Sequence, residues 1–135
     1  IDDLKLFEIK PDKITAELLK KVWPGKISVV LPNKNKKFGY LRRGTDSLAF
    51  RLPNKKNLIR FIEKTGPLVA PSANWEGYPP AKTIKEAKKY FGGKSDFYVD
   101  SGKKESQPST IIGIKGGKVE LLREGAVKSA LSLFS

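Results

Sequence analysis

The sequence predicts one α/β domain built on a mixed, twisted sheet. Three observations lead there. The chain has 135 residues, a length that suits a single domain. Hydrophobic residues make up 39%, enough for one core and too many for wholesale disorder. Helical and strand patterns succeed one another without strict alternation, which favours a mixed sheet over an all-parallel one. No internal repeat or low-complexity tract interrupts residues 1–135.

Asp12 to Val22 reads as a helix, because Ile14, Leu18, Leu19 and Val22 recur at helical spacing and Pro24-Gly25 stops the run. Ile27 to Leu31 is a short apolar strand. Phe38 to Leu41 and Ser47 to Leu52 are further strand candidates, separated by the turn residues Gly44-Thr45-Asp46. Asn54 is placed to cap a helix reaching about Lys64, with Leu58, Ile59 and Ile62 inward and Gly66 as the stop. Pro67 to Ala70 reads as a short buried strand, and Pro71 to Lys82 as a loop. Thr83 and Glu86 form a capping box for a helix that ends at Gly92-Gly93. Phe97 to Val99 reads as a strand and Asp100 to Pro108 as a polar loop. Thr110 to Ile114 and Lys118 to Leu122 form a hairpin around Gly116-Gly117, and Val127 to Phe134 reads as a terminal helix.

Composition narrows the chemistry. There is no Cys, which removes disulfides, thiolate nucleophiles and Cys-ligated metals. There is no His, which removes the usual general base and excludes triads of the Ser-His-Asp kind. No apolar run approaches the roughly 18–20 residues of a membrane span. The chain has no Met and opens at Ile1, the mark of a processed product, a fragment or a trimmed chain. Nothing near Ile1-Asp2-Asp3 has the pattern of a signal peptide, so the expected compartment is the cytoplasm. The formal charge of +13 favours polyanions such as RNA, nucleotides or phosphorylated substrates. Scattered Lys pairs on solvent faces would give the same balance.

Five segments could carry chemistry. Trp23-Pro24-Gly25 leads from a helix into a strand and reads on its own as a rigid turn with an aromatic plug. In Leu48 to Pro53, strand alternation puts Arg51 with Ala49 and Ser47 on one face, opposite Leu48, Phe50 and Leu52. The Arg51 fork suits a carboxylate or phosphate, or a surface ion pair. In Gly66 to Asn74 an apolar stretch breaks at Pro71 into a turn bearing Ser72 and Asn74, and Gly77, Pro79 and Pro80 extend it as a stiff loop. A hydroxyl and an amide at a strand's carboxyl end suit a phosphate or an amino acid, and also an ordinary turn. Ser109 and Thr110 come after Pro108 at the start of a strand. Arg123 ends a strand ahead of Gly125, free for an anion or paired with Glu124. Together the segments offer hydroxyls, an amide and arginines, with no nucleophile, no evident general base and no metal cluster. Such a set suits reactions driven by positioning and charge stabilisation, for example attack on a nucleotide phosphate.

In this order the segments resemble the YrdC-like family of threonylcarbamoyl-AMP synthases. Trp23 to Ser28 is similar to its W-P-G-P-L-T turn, and Leu48 to Pro53 to its V-x-R-x-P strand. Gly66 to Pro80 resembles its G-P-L-x-x-x-S-A-N-x-S-G-x-P-x loop almost residue by residue. Pro108 to Ile112 resembles P-S-T-I-V, and Leu122 to Ala126 its closing L-R-x-G-A. The resemblance implies a YrdC/RibB-like mixed open sheet with flanking helices. It also implies synthesis of threonylcarbamoyl-AMP and pyrophosphate from L-threonine, bicarbonate and ATP, with Mg²⁺ on the ATP. The product would feed t6A modification of tRNA through a partner transferase complex. By motif, Arg51, Ala70 and Ser109 would bind threonine, and Ser47, Ser72, Asn74, Pro80 and Arg123 would bind ATP.

The sequence departs from the pattern at Lys26, Ser28 and Glu76, where the family has Pro, Thr and Ser. The family's amino-terminal P-T-E-T and K-x-R elements precede anything in this sequence. Roughly a third of a domain of the expected size is then absent, which would leave an exposed sheet edge. Two rivals remain: a carbamoyl-adenylating domain of the hydrogenase-maturation type, and a non-catalytic module binding double-stranded RNA or tRNA through its basic surface.

Overall fold

The computed structural model describes residues 1–105, 107–115 and 117–134. The chain divides into two compact units, Ile1–Pro67 with Gln107–Ser135, and Leu68–Ser106.

The first unit holds a four-stranded sheet. Its strands are β1 (Ile27–Pro32), β2 (Ser47–Phe50), β3 (Thr110–Lys115) and β4 (Lys118–Arg123), in the order β2-β1-β3-β4. β1 runs parallel to β3 and antiparallel to β2, and β3 pairs antiparallel with β4. The sheet is therefore mixed, as expected. The β3–β4 pairing matches the expected hairpin; Gly116 lies outside the described residues.

One sheet face is packed by helix α1 (Lys13–Val22). Asp12 caps it, accepting from the Thr15 N–H at 2.7 Å. Leu18, Leu19, Val22 and Trp23 meet Ile27, Val29, Leu31 and Ile112 in the core. Leu19, Val29 and Ile112 are fully buried. The inward position in the first turn is Thr15, not Ile14, which is 58% exposed. The arc through residues 15, 18, 19 and 22 leaves position 14 roughly 90° from its centre at 100° per residue.

Several expected elements differ. Phe38 to Leu41 is a 3₁₀ turn followed by the short helix α2 (Gly39–Arg42). Asn35 starts the turn by accepting from the Lys37 N–H at 2.9 Å. Phe38 is buried while Tyr40 is 78% exposed, and a strand would put both on one face. Helix α3 (Lys56–Thr65) starts one residue too late for Asn54, so Lys55 holds the cap position and no side chain caps it. Gly66 closes α3 as expected, its N–H donating to Ile62 O at 2.8 Å. No residue of α3 is fully buried, and Leu58 and Phe61 are exposed. The terminal helix shrinks to a 3₁₀ turn, Ala130–Leu133. The backbone of Val127 is engaged by the Thr110 hydroxyl at 2.8 and 3.0 Å, and Ser129 takes φ 49°, so a helix cannot run through them.

The second unit carries helix α4 (Ile84–Phe91). Its cap is close to the expected box: Thr83 Oγ1 accepts from the Glu86 N–H at 3.2 Å, and Glu86 reaches back to the Lys82 N–H at 2.7 Å. The stretches Pro67 to Ala70 and Phe97 to Val99 are not strands. Val69 and Val99 are 73% and 74% exposed, and neither stretch lies in a sheet. Among the described residues no helix is long and apolar enough to cross a membrane.

Candidate functional site

The candidate residues fall into two groups, one in each unit. In the sheet unit four segments converge on one end of the sheet. β1 and β3 begin there, while β2 and β4 end there. The turn Trp23-Pro24-Gly25 is fixed from both sides. Trp23 is buried, and its indole Nε1 donates to Ile27 O at 2.9 Å. The Gly25 N–H donates to Leu52 O at 2.8 Å, and Arg51 Nε donates to Gly25 O at 3.0 Å. A Cβ on Gly25 would lie 2.6 Å from Val22 O, so this tight exit from α1 admits only glycine. The turn thus sets where the Arg51 side chain begins.

Opposite it, Ser109 is held by three contacts. Its hydroxyl bonds Ser28 Oγ at 2.8 Å, its carbonyl accepts from Arg123 Nη2 at 2.8 Å, and the adjacent Thr110 N–H donates to Lys26 O at 3.1 Å. Gly125 packs under this corner. A Cβ there would stand 2.5 Å from Pro108 O and 2.6 Å from Ser109 C, a distance no side chain tolerates. The glycine of the L-R-E-G-A string is therefore required by close approach, and the Ala126 N–H seals the corner on Pro108 O at 2.8 Å.

Register assigns these side chains to one face. Val29 and Ile112 pair on the core side, so the next row, Ser28 with Ile111 and Ile111 with Arg123, lies on the second face. Ala49 pairs with Val30 and Ser47 with Pro32 on that same face, and Arg51 follows the last residue of β2 at this end of the sheet. Ser47 sits in a shallow depression of about 260 Å³ with Val30, Gly113 and Leu122 among its lining. Arg51 and Arg123 are exposed, and neither has a carboxylate within ion-pair distance among the described residues. Arg123 is thus not paired with Glu124. The pattern of alternation locates Ser47 and Arg51 from sequence; Ser28 was visible only as a departure within the turn string, and its partnership with Ser109 needed the fold.

The second group lies in the loop of the other unit. The Asn74 N–H donates to Ser72 O at 3.0 Å, and Asn74 Nδ2 donates to Trp75 O at 2.9 Å. That second bond orients the amide and leaves Asn74 Oδ1 shielded from water with no hydrogen-bond partner among the described residues. An unmet acceptor of this kind costs about 1–3 kcal/mol, and a ligand donor would relieve it. Ser72, Ala70 and Pro80 are exposed. The Ala81 N–H donates to Ala73 O at 2.9 Å, closing residues 73–81 into a ring. Among the described residues no group of three or more carboxylates is placed to hold a metal.

The two groups of motifs have counterparts elsewhere. A family model for Sua5, YciO and YrdC proteins, described as telomere recombination, matches residues 1–125. A Cellvibrio japonicus protein named threonylcarbamoyl-AMP synthase is 34% identical over 113 residues, 80% of this chain and 58% of that one. The crystal structure of Pyrococcus abyssi Sua5 complexed with L-threonine matches with a TM-score of 0.74 at 29% identity, over 87% of this chain and 35% of that one. Escherichia coli YciO matches equally well in fold, TM-score 0.74, at 20% identity over 89% of this chain and 60% of its own. The chain spans between 34% and 60% of the length of the curated relatives it matches. The α/β architecture with its mixed open sheet is that of these proteins, and the chain belongs to the Sua5/YciO/YrdC family.

Proposed function

We propose that this chain carries out threonylcarbamoyl-AMP synthesis. The threonine amine takes up bicarbonate-derived CO₂, with loss of water, to give a carbamate. A carbamate oxygen then attacks the α-phosphorus of ATP, and the bond to pyrophosphate breaks. The observation that carries this reading lies at one end of the sheet: Arg51 and Arg123, with no ion pair among the described residues, flank the Ser28–Ser109 hydroxyl pair. The relatives' name and the threonine complex of the Pyrococcus protein favour the same chemistry.

In this reading residues 1–135 act as one functional domain. Arg51 holds the threonine carboxylate, with Ser109 and Ala70 on the threonine side. Ser47, Ser72, Asn74, Pro80 and Arg123 bind ATP. Mg²⁺ would accompany the ATP, held mainly by its phosphates, because few carboxylates lie in these motifs. The protein supplies position and charge, without a protein nucleophile. The adenylate passes to a transferase complex for t6A formation in the cytoplasm. The test is pyrophosphate release from ATP, with and without L-threonine and bicarbonate. A signal requiring both supports the reading; equal release without threonine overturns it.

A second reading is favoured by the charge. Of 27 Lys and Arg, the described ion pairs engage only Arg42, Lys82, Lys103 and Lys128. A non-catalytic RNA-binding module would bind double-stranded RNA or tRNA with steep salt dependence and no response to threonine.

A further inference from the structure

We propose that Trp75 and Tyr90 are positioning residues that clamp the Ser72–Pro80 loop onto α4 in the geometry that binds ATP; this rests on the ATP-binding reading of that loop. The contacts form a closed set within one unit. Trp75 Nε1 donates to Tyr90 O at 3.0 Å. The Tyr90 hydroxyl returns to the loop, donating to Pro79 O at 2.9 Å, the carbonyl of the peptide that leads into Pro80. The rings add to it. Trp75 stacks on Phe91 with centroids 6.2 Å apart, and Tyr78 meets Tyr90 edge-on at 6.4 Å.

The backbone of Trp75 ties this anchor to the chemistry. Its carbonyl accepts from Asn74 Nδ2 at 2.9 Å and from the Tyr78 N–H at 3.0 Å. Fixing Trp75 therefore fixes the Asn74 amide on one side and the Gly77–Tyr78 turn on the other. Tyr90 then holds the far end, next to Pro80. The loop has no sheet or helix hydrogen bonds of its own to keep it in place, so two side-chain bonds carry what a ladder would carry elsewhere. A loop held before ligand arrives loses less entropy on binding.

The test uses conservative variants of the full chain. Tyr90→Phe deletes only the bond to Pro79 O, and Trp75→Phe deletes the bond to Tyr90 O while keeping a smaller aromatic ring against Phe91. Each should weaken ATP binding about 3–10-fold by calorimetric titration, the worth of one hydrogen bond. Tyr98→Phe is the control. It deletes a comparable bond in the same unit, Tyr98 hydroxyl to Gly92 O at 2.7 Å, with neither partner in the loop. It should leave ATP affinity unchanged. Equal losses in all three variants, or none in the first two, overturn the proposal. Amide exchange gives a readout independent of ATP. In Tyr90→Phe the Ala81 and Tyr78 N–H groups should exchange faster than in the parent. If the parent binds no ATP while this acceleration is present, the ATP reading fails and the clamp stands. If exchange is unchanged, the clamp fails whatever the affinity.

Discussion

Arg51 shows how a single residue can be separated from the fold it belongs to. It is exposed, makes one described hydrogen bond, and that bond is to a backbone carbonyl. Arg51→Ala should therefore leave the melting temperature nearly unchanged, within the roughly 0.5 kcal/mol typical of surface sites, while threonine affinity falls about tenfold or more. Unfolding of the variant, seen by circular dichroism, would make Arg51 structural. Gly125 is the opposite case. Gly125→Ala drives a methyl into Pro108 and Ser109, a clash with backbone that cannot rotate away. It should destabilise by about 1–3 kcal/mol and displace Ser109, read as a lowered denaturant midpoint together with weakened threonine binding. Asp12 carries a pH signature. Its hydrogen bonds to Thr15 hold its carboxyl below the ordinary carboxylate range. A lowered folded-state value means the contribution is present above the unfolded value and is lost as pH falls through the folded one. Asp12→Asn keeps a capping acceptor without a titrating group. The difference between parent and variant should shrink on acidification, measured as thermal midpoints from pH 7 down to about 2.

At the scale of elements, burial decides which sequence patterns become structure. α1 was legible because a helical apolar stripe and a Pro-Gly stop agreed. α4 was legible from its capping box for the same reason. Pro67 to Ala70 and Phe97 to Val99 have the apolar content of strands, yet Leu68, Val69, Phe97 and Val99 are exposed. A strand is a relation between two segments, and content in one says nothing about the partner. Phe38 to Leu41 failed for a local reason, because the Asn35 turn bends the chain before any pairing can begin. The site strings are short turns with Pro, Gly and Ser, whose geometry is set locally. What stayed hidden was long-range: the Ser28–Ser109 bond and the contact of Gly125 with Pro108 both join residues far apart in the chain. Substitutions in the sheet can grade this burial. Leu48 is only half-buried, outside the fully buried set, whereas Leu19 has no exposed surface. Leu19→Ala should cost about 2–5 kcal/mol, with Leu48→Ala below that range, both from urea unfolding.

The whole molecule sets two forces against each other. β2 and β4 are the outer strands of the sheet, and among the described residues no further strand pairs with either. Leu121 and Leu122 on β4 and Leu58 and Phe61 on α3 are exposed. Free strand edges and apolar surface favour association between copies. The charge of +13, most of it in the sheet-bearing unit, opposes association. Salt weakens the second force and not the first. The screening length falls from about 30 Å at 0.01 M to about 8 Å at 0.15 M, shorter than the span of a domain this size. The weight-average mass in solution should therefore rise with salt, from monomer at low ionic strength. Polyanion binding runs the other way, because salt removes its counterion-release gain. Light scattering across a salt series, repeated with double-stranded RNA present, separates the two. Mass that rises with salt in the protein alone, alongside RNA affinity that falls, fits a basic surface on a sheet with free edges. Mass that stays monomeric throughout would show that the edges and the α3 face are too well solvated to drive contact. The charge would then serve ligand binding alone.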